Sequence, residues 1–519
     1  MPRAGGARVT GTAVALESAE ALSSALGEGL TTSVDIVRQC IATIDRLNPL
    51  LGAVVHVDRG AALAAAQASD ERRARGLARG PLDGIPATVK DTHDIAGQPT
   101  TDGHAAFATR VAAHDSEVVA RLRDAGVVLL GKTNLPAFSK DGQTWNELFG
   151  LTRNPWDLER TAGGSSGGSA VAVATGMAAF DLGADMGGSV RTPAAWNGVF
   201  GHKPTWGLVP QTRDPLRPEN SGLPLDTAID IGATGLVARA AGDLALIMHV
   251  LVGPLAPDRR AWTATLPPPR VRDASDLVVS VLLDDPFVPT SRETRRVLEE
   301  GLAALRARGV TIVEKPLPRP VPALCELFET LSFIGLSGTM PEAAWRERIA
   351  SLEAEAEAET ESESGLGGVG WLWKLHARAA GMTHREWLRL DESRRRLREE
   401  WDDYFSDVHA LVTPVAPVQA HPHDLDRPPL ERRYDNDGVL RPNLPDLRVW
   451  PGITGVAYLP STIAPVGLDD AGLPVGAQVA AAECDDLTAI HVAGLLAEAA
   501  GGGSAPPLVD EPIRSASVK

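Results

Sequence analysis

Between about residue 80 and residue 250 the chain keeps switching period. Short apolar runs at 85–89 and 127–130, bounded by glycine, read as buried strands. Segments with apolar residues at helical spacing lie between such runs. This alternation favours an α/β core, a twisted mixed sheet flanked by helices, over separate all-α or all-β units. Residues 18–75 come first and read as helices. Val34, Ile36, Val37, Cys40, Ile41, Ile44 and Leu47 recur on one face, and residues 61–75 form an Ala- and Arg-rich amphipathic segment.

The second half is less regular. Residues 254–275 are Pro-rich and read as a connector. A strand is expected over 277–283 and a helix over 291–308. Residues 353–364 alternate glutamate with small residues and run into GLGGVG, so 353–370 is expected to be mobile through charge repulsion and lack of packing. A charged helix follows over 383–405, then strands at 410–417 and 477–482 and a closing helix at 487–499. The whole of 1–519 is expected to fold as one domain, with 18–253 and 405–500 as its core and 254–400 over the active-site face.

Composition excludes several classes. The 519 residues carry a formal charge of −17, with 44% hydrophobic and 23% charged residues, as ordinary globular chains do. An acidic balance argues against a nucleic-acid surface, which needs clustered Lys and Arg. Cys40, Cys325 and Cys484 are scattered and form neither a CxxC metal motif nor a disulfide framework. The apolar run at 13–16 is too short for a signal peptide, and no run reaches membrane-spanning length. The expectation is a cytoplasmic protein, monomer or homodimer, with no membrane, nucleic-acid, metal or cofactor partner. His421, His423 and Asp424 could suggest a metal, but Pro422 separates the histidines in a Pro-rich loop.

Three segments carry the chemistry. LDGIPATVKDTHDIAG (82–97) places Lys90 at the end of an apolar run. AGGSSGGSAVAVATG (162–176) is a Gly/Ser loop feeding an Ala/Val helix, without the GK[ST] ending of a phosphate loop. GADMGGSVRTPAAWNG (183–198) sets two glycines before Ser189, so that successive backbone N–H groups can converge on one spot, as an oxyanion hole requires.

Together the three resemble the amidase signature family of serine hydrolases. The matching residues are Gly84, Pro86, Lys90 and Asp91, then 163–168, then Asp185 through Ser189 with Arg191 and Pro193. The resemblance extends through GKTNLPAFS (131–139), FGLTRNPWD (149–157), GHKPTWGLVP (201–210), ALVTPVAP (410–417) and GLPVGAQV (472–479), and is weakest over 254–400. It implies Ser189 as nucleophile, Ser165 as a bridging serine after a cis peptide, and Lys90 as base. It implies an oxyanion hole from the amides of Met186, Gly187, Gly188 and Ser189. Lys90 must be neutral to work. From a reference pKa near 10.4 that costs about 4–5 kcal/mol at pH 7, which burial would offset. Asp91 opposes this unless its side chain faces away, as strand alternation allows.

The family spans many amides, so the fold does not fix the substrate. Met186 stands where many members have Thr and makes the site less polar. His93, Phe333, Met340, Trp371 and Trp373 are pocket candidates, the last four from the region that often caps the site in this family. They favour a small-molecule hydrophobic or aryl amide, or a carbamate as in urethanase-type and aryl acylamidase-type members. The alternatives are the amidase subunit of a tRNA-dependent amidotransferase and a non-catalytic binding protein on the same fold.

Overall fold

The computed structural model describes residues 16–211, 228–255, 258–337, 345–347, 349–351 and 369–509. Met340 and most of 353–370 lie outside the described residues, and with them the expectation of a mobile segment there.

Eleven strands of one sheet follow in chain order. They are β1 (Val54–Val57), β2 (Pro86–Lys90), β3 (Val128–Thr133), β4 (Phe180–Asp185), β5 (Phe200–Lys203) and β6 (Ala233–Ala238), then β7 (Val278–Val281), β8 (Thr311–Val313), β9 (Ala410–Pro414), β10 (Ser461–Leu468) and β11 (Pro474–Ala480). Their spatial order is β1-β3-β2-β4-β6-β5-β10-β11-β9-β7-β8. The sheet is mixed. β2 runs parallel to β3 and β4, and β7 parallel to β8 and β9, while β4, β6, β5, β10, β11 and β9 alternate direction.

The sheet's central strands are buried on both faces, so that even the polar side chains of β2, β3 and β4, among them Thr88, Lys132 and Asp181, lie inside. Helices cover the two faces. Ser33–Leu51 begins at Thr32, whose hydroxyl accepts from the Asp35 amide at 3.1 Å, and ends at Gly52 in the left-handed region. His384–Tyr404 starts with a capping box between Thr383 and Glu386 and buries Arg394, Leu397, Trp401 and Tyr404 along one stripe.

Two features depart from the sequence reading. β1 interrupts the helical segment 18–75, because VVHV pairs with the distant β3, a contact that local periodicity does not carry. The second is β8 at 311–313, not expected from the sequence, which with β7, expected over 277–283, extends the sheet itself.

Candidate active site

Parallel neighbours set the site. β2 and β4 lie side by side with Thr88 opposite Asp181 and Val89 opposite Leu182. Lys90 ends the first strand and Asp185 the second. Both chain segments therefore leave the sheet at its carboxyl edge, where open α/β sheets place their ligands. The Gly/Ser loop that precedes the helix Gly167–Ala174 closes over the same edge. The Ser166 amide donates to the Ser189 carbonyl at 2.9 Å, tying the two serine-bearing loops together.

Lys90 is fully buried, and its Nζ donates to Ser165 Oγ at 2.6 Å. The Gly164–Ser165 peptide is cis. Burial pulls Lys90 from 10.5 down to about 8, against the raising influence of Asp102, Asp185 and Asp181. Asp91 does not restore the charge, because its carboxylate is turned to other partners. It accepts from Lys132 Nζ at 3.2 Å and from Thr101 Oγ1 at 2.5 Å. Lys132, in the GKTN segment, is thus the cation that answers Asp91 and leaves Lys90 to Ser165. Behind Lys90 stands Asp181, pushed up to about 6 by burial although Ser169 and Thr133 donate to it; the Thr133 bond is 3.1 Å.

The Ser189 loop is held by a buried ion pair. Arg191 Nη2 and Nε donate to the two Asp185 oxygens at 2.8 and 3.1 Å. The same guanidinium reaches Pro451 O, Thr454 Oγ1 and Gln478 Oε1. Burial alone would raise the Asp185 carboxyl, but Arg191 and the amides of Val190 and Gly188 hold it well below the usual range. The Gly188 amide spends its proton on Asp185 Oδ1 at 3.0 Å. Of the four amides expected to face an oxyanion, Gly188 is therefore committed elsewhere. Those of Met186, Gly187 and Ser189 have no acceptor among the described residues. Gly188 sits at φ +104°, and a Cβ there would come 2.8 Å from Pro451 Cγ, so this turn demands glycine.

His93 is buried. Its Nε2 lies 3.1 Å from the Gly183 carbonyl and so carries the proton. Burial lowers its pKa to about 4. Phe333 stacks on His376 and tilts against Trp345, and Trp371 meets Phe287 edge-on. Trp373 Nε1 is buried without a partner among the described residues. None of these three is brought to the Ser189 loop by a described contact. The residues that do meet it were not singled out in the sequence. Phe328 and Arg448 stand at 3.3 and 3.0 Å from where a Gly187 Cβ would lie. Phe328 comes from the helix Val321–Ser337, Arg448 from the helix Asn443–Gly455. Neither lies in a motif, so only the packing identifies them.

His421 bonds the Pro422 carbonyl and Asn443, and His423 bonds Leu158. Among the described residues no group of His, Cys, Asp or Glu is placed to hold a metal. No described helix is long and apolar enough to cross a membrane.

A family model described as Amidase matches residues 35–489. A glutamyl-tRNA(Gln) amidotransferase subunit of Chloroflexus aggregans is 33% identical over 495 residues, covering 91% of this chain and 94% of that protein. The peptide amidase of Stenotrophomonas maltophilia superposes with a TM-score of 0.70 at 27% identity, covering 95% and 98%. A bacterial aryl acylamidase of the amidase signature family shares the fold, with a TM-score of 0.76 at 23% identity and coverage of 96% and 100%. The amidotransferase relative overturns one expectation. Net charge argues against a nucleic-acid partner, and the chain is expected to meet only a small molecule, yet its relatives are named as part of an enzyme that works on a tRNA. Net charge averages the whole surface, and in an assembly a partner chain can carry the basic face.

Proposed function

Because the chain belongs to the amidase family, whose members cleave amide C–N bonds, we propose that it does so through an acyl-enzyme formed on Ser189. The observation that carries this is the 2.6 Å bond from buried Lys90 to Ser165, beneath the Ser189 loop. Neutral Lys90 takes the Ser165 proton as Ser165 takes that of Ser189. The Ser189 Oγ then bonds the carbonyl carbon. The amides of Met186, Gly187 and Ser189 receive the oxyanion, each such donor contributing about 3–4 kcal/mol. Ser165 passes a proton to the departing nitrogen, which leaves as amine or ammonia. Water, deprotonated by the same relay, then releases the acyl group and restores Ser189.

Two substrate readings have support. The curated relatives favour release of ammonia from a glutamine side chain, as the amidase component of a tRNA-dependent amidotransferase. The apolar contribution of Met186 and Phe328 beside the loop, with the likeness to a peptide amidase, favours small hydrophobic or aryl amides, with carbamates as further substrates for the same oxyanion hole. Hydrolysis of p-nitroanilides, aliphatic amides, aryl carbamates and glutamine, with and without glutamyl-tRNA, separates them. Turnover of none of these, with no labelling of Ser189 by a fluorophosphonate, would contradict the proposal.

A further inference from the structure

The helix Asn443–Gly455 lays one stripe against the nucleophile loop. A Cβ on Gly187 would meet Arg448, one on Gly188 would meet Pro451, one on Gly452 would meet Phe328, and one on Gly455 would lie 3.6 Å from the Met186 carbonyl. These positions are i, i+3, i+4 and i+7 of a helix, so a single face covers the loop. Arg448 is the one charged group on that stripe.

Its guanidinium is fixed. Nε donates to Glu329 Oε1 at 2.8 Å, and Nη2 donates to Glu329 Oε2 at 3.1 Å and to Ser332 Oγ at 3.0 Å. Its Cζ lies 5.0 Å from the centroid of the Phe328 ring. Glu329 is itself buried. Burial alone would raise its carboxyl, but Arg448 and His376 bring it down to about 2. The whole arrangement locks Nε and Nη2 and leaves Nη1 with no acceptor among the described residues. Nη1 is the atom at 3.0 Å from the Gly187 Cβ position. Covalent geometry then puts it within about 5–6 Å of the Gly187 nitrogen, one of the free amides of the loop. The side chain keeps 21% of its surface exposed.

A preorganised donor with two uncommitted protons beside the oxyanion position has one evident use. We propose that Arg448 is a substrate-recognition residue, whose Nη1 donates to a second, neutral carbonyl oxygen that the substrate carries a short spacer away from the scissile amide. The substrate class is thus a diamide or an amide-carbamate rather than a simple alkyl or aryl amide. A neutral acceptor fits better than a carboxylate because Glu329 already balances the guanidinium, and a second anion would approach that glutamate. The α-carboxylate of a zwitterion such as glutamine would be such a second anion, so this balance disfavours it at Nη1. The proposal rests on Ser189 being the nucleophile.

The test uses the full-length enzyme and two matched pairs of substrates. In the acyl half these are N-acetylglycyl and pentanoyl p-nitroanilide; in the amine half, N-acetylglycinamide and N-propylacetamide. Arg448→Met should lower the ratio of kcat/KM, acceptor-bearing over plain, by about ten- to a hundredfold in at least one pair, the range for losing a charged donor. An unchanged ratio in both pairs overturns the proposal. So does a preference of the wild type for succinyl over N-acetylglycyl p-nitroanilide that Arg448→Met abolishes, since that would make the ligand a carboxylate. Arg448→Met leaves Glu329 buried and unpaired, so the double variant Arg448→Met/Glu329→Gln is measured beside it and should show the same drop. Fluorophosphonate labelling of Ser189 distinguishes the two levels of failure. Labelled enzyme with unchanged ratios sinks the role of Arg448 alone; wild-type enzyme that cannot be labelled sinks the nucleophile and this role with it.

Discussion

Replacing Lys90 with Met should make the inactive protein more stable than the active one at neutral pH. Lys90 is fully buried, and burial lowers its pKa from 10.5 to about 8. The unfolded chain keeps that proton up to its ordinary value, whereas the folded chain releases it earlier. Between about pH 8 and pH 10.5 the unfolded state therefore binds more protons, and wild-type stability rises with pH through that window. Below it the full penalty is present, about 3 kcal/mol at pH 7. Methionine carries no such penalty but forfeits the bond to Ser165, about 1 kcal/mol. Lys90→Met should then be more stable than wild type by about 2 kcal/mol at pH 7, and about equal to it at pH 10. Urea unfolding of both proteins at the two pH values, followed by tryptophan fluorescence, gives the difference, from which titrating groups remote from Lys90 cancel. A variant less stable than wild type at pH 7, or a difference that does not close as pH rises, would refute the reasoning that Lys90 is held against its charge.

Arg191→Met should cost about 3–5 kcal/mol, because it strands the buried Asp185 carboxylate; the double variant with Asp185→Asn should recover part of this in the same unfolding assay. Gly188→Ala should cost about 1–3 kcal/mol from its disfavoured φ and slow fluorophosphonate labelling, since the turn that presents Ser189 must shift away from Pro451. Ser165→Ala should keep part of the labelling rate, with water bridging Lys90 to Ser189, whereas Ser189→Ala should abolish it; the losses should not add, because the three residues act as one relay.

Much of this site is legible in the chain before it is folded. Lys90, Ser165 and Ser189 lie in three segments that say little one by one and are picked out by their joint resemblance to the amidase signature family. The strands at 86–90 and 128–133 are legible through the short apolar runs at 85–89 and 127–130 that glycines bound, although their polar ends at Lys90 and 131–133 are not. What stays hidden is non-local. Lys132 answers Asp91 only because β2 and β3 pair in register. Arg448 reaches Gly187 only because the helix Asn443–Gly455 crosses the loop, and the DLRVWPG around it follows no motif. Phe328 stays hidden because a Phe at an apolar position of an amphipathic helix looks the same in sequence whether it fills a core or lines a cleft. The inference from charge to partners failed for a related reason, since a total of −17 says nothing of where the charges lie.

The central claim is that buried Lys90, through Ser165, is the base that activates Ser189. Its most direct test is the pH dependence of the second-order rate at which a fluorophosphonate labels Ser189, read by intact mass and peptide mapping. The account predicts a single rising limb with a midpoint near pH 8, where Lys90 loses its proton, unaltered in a His93→Gln variant and absent in Lys90→Met. A limb near pH 6.5 that vanishes with His93, or labelling that survives in Lys90→Met with the wild-type profile, would contradict it.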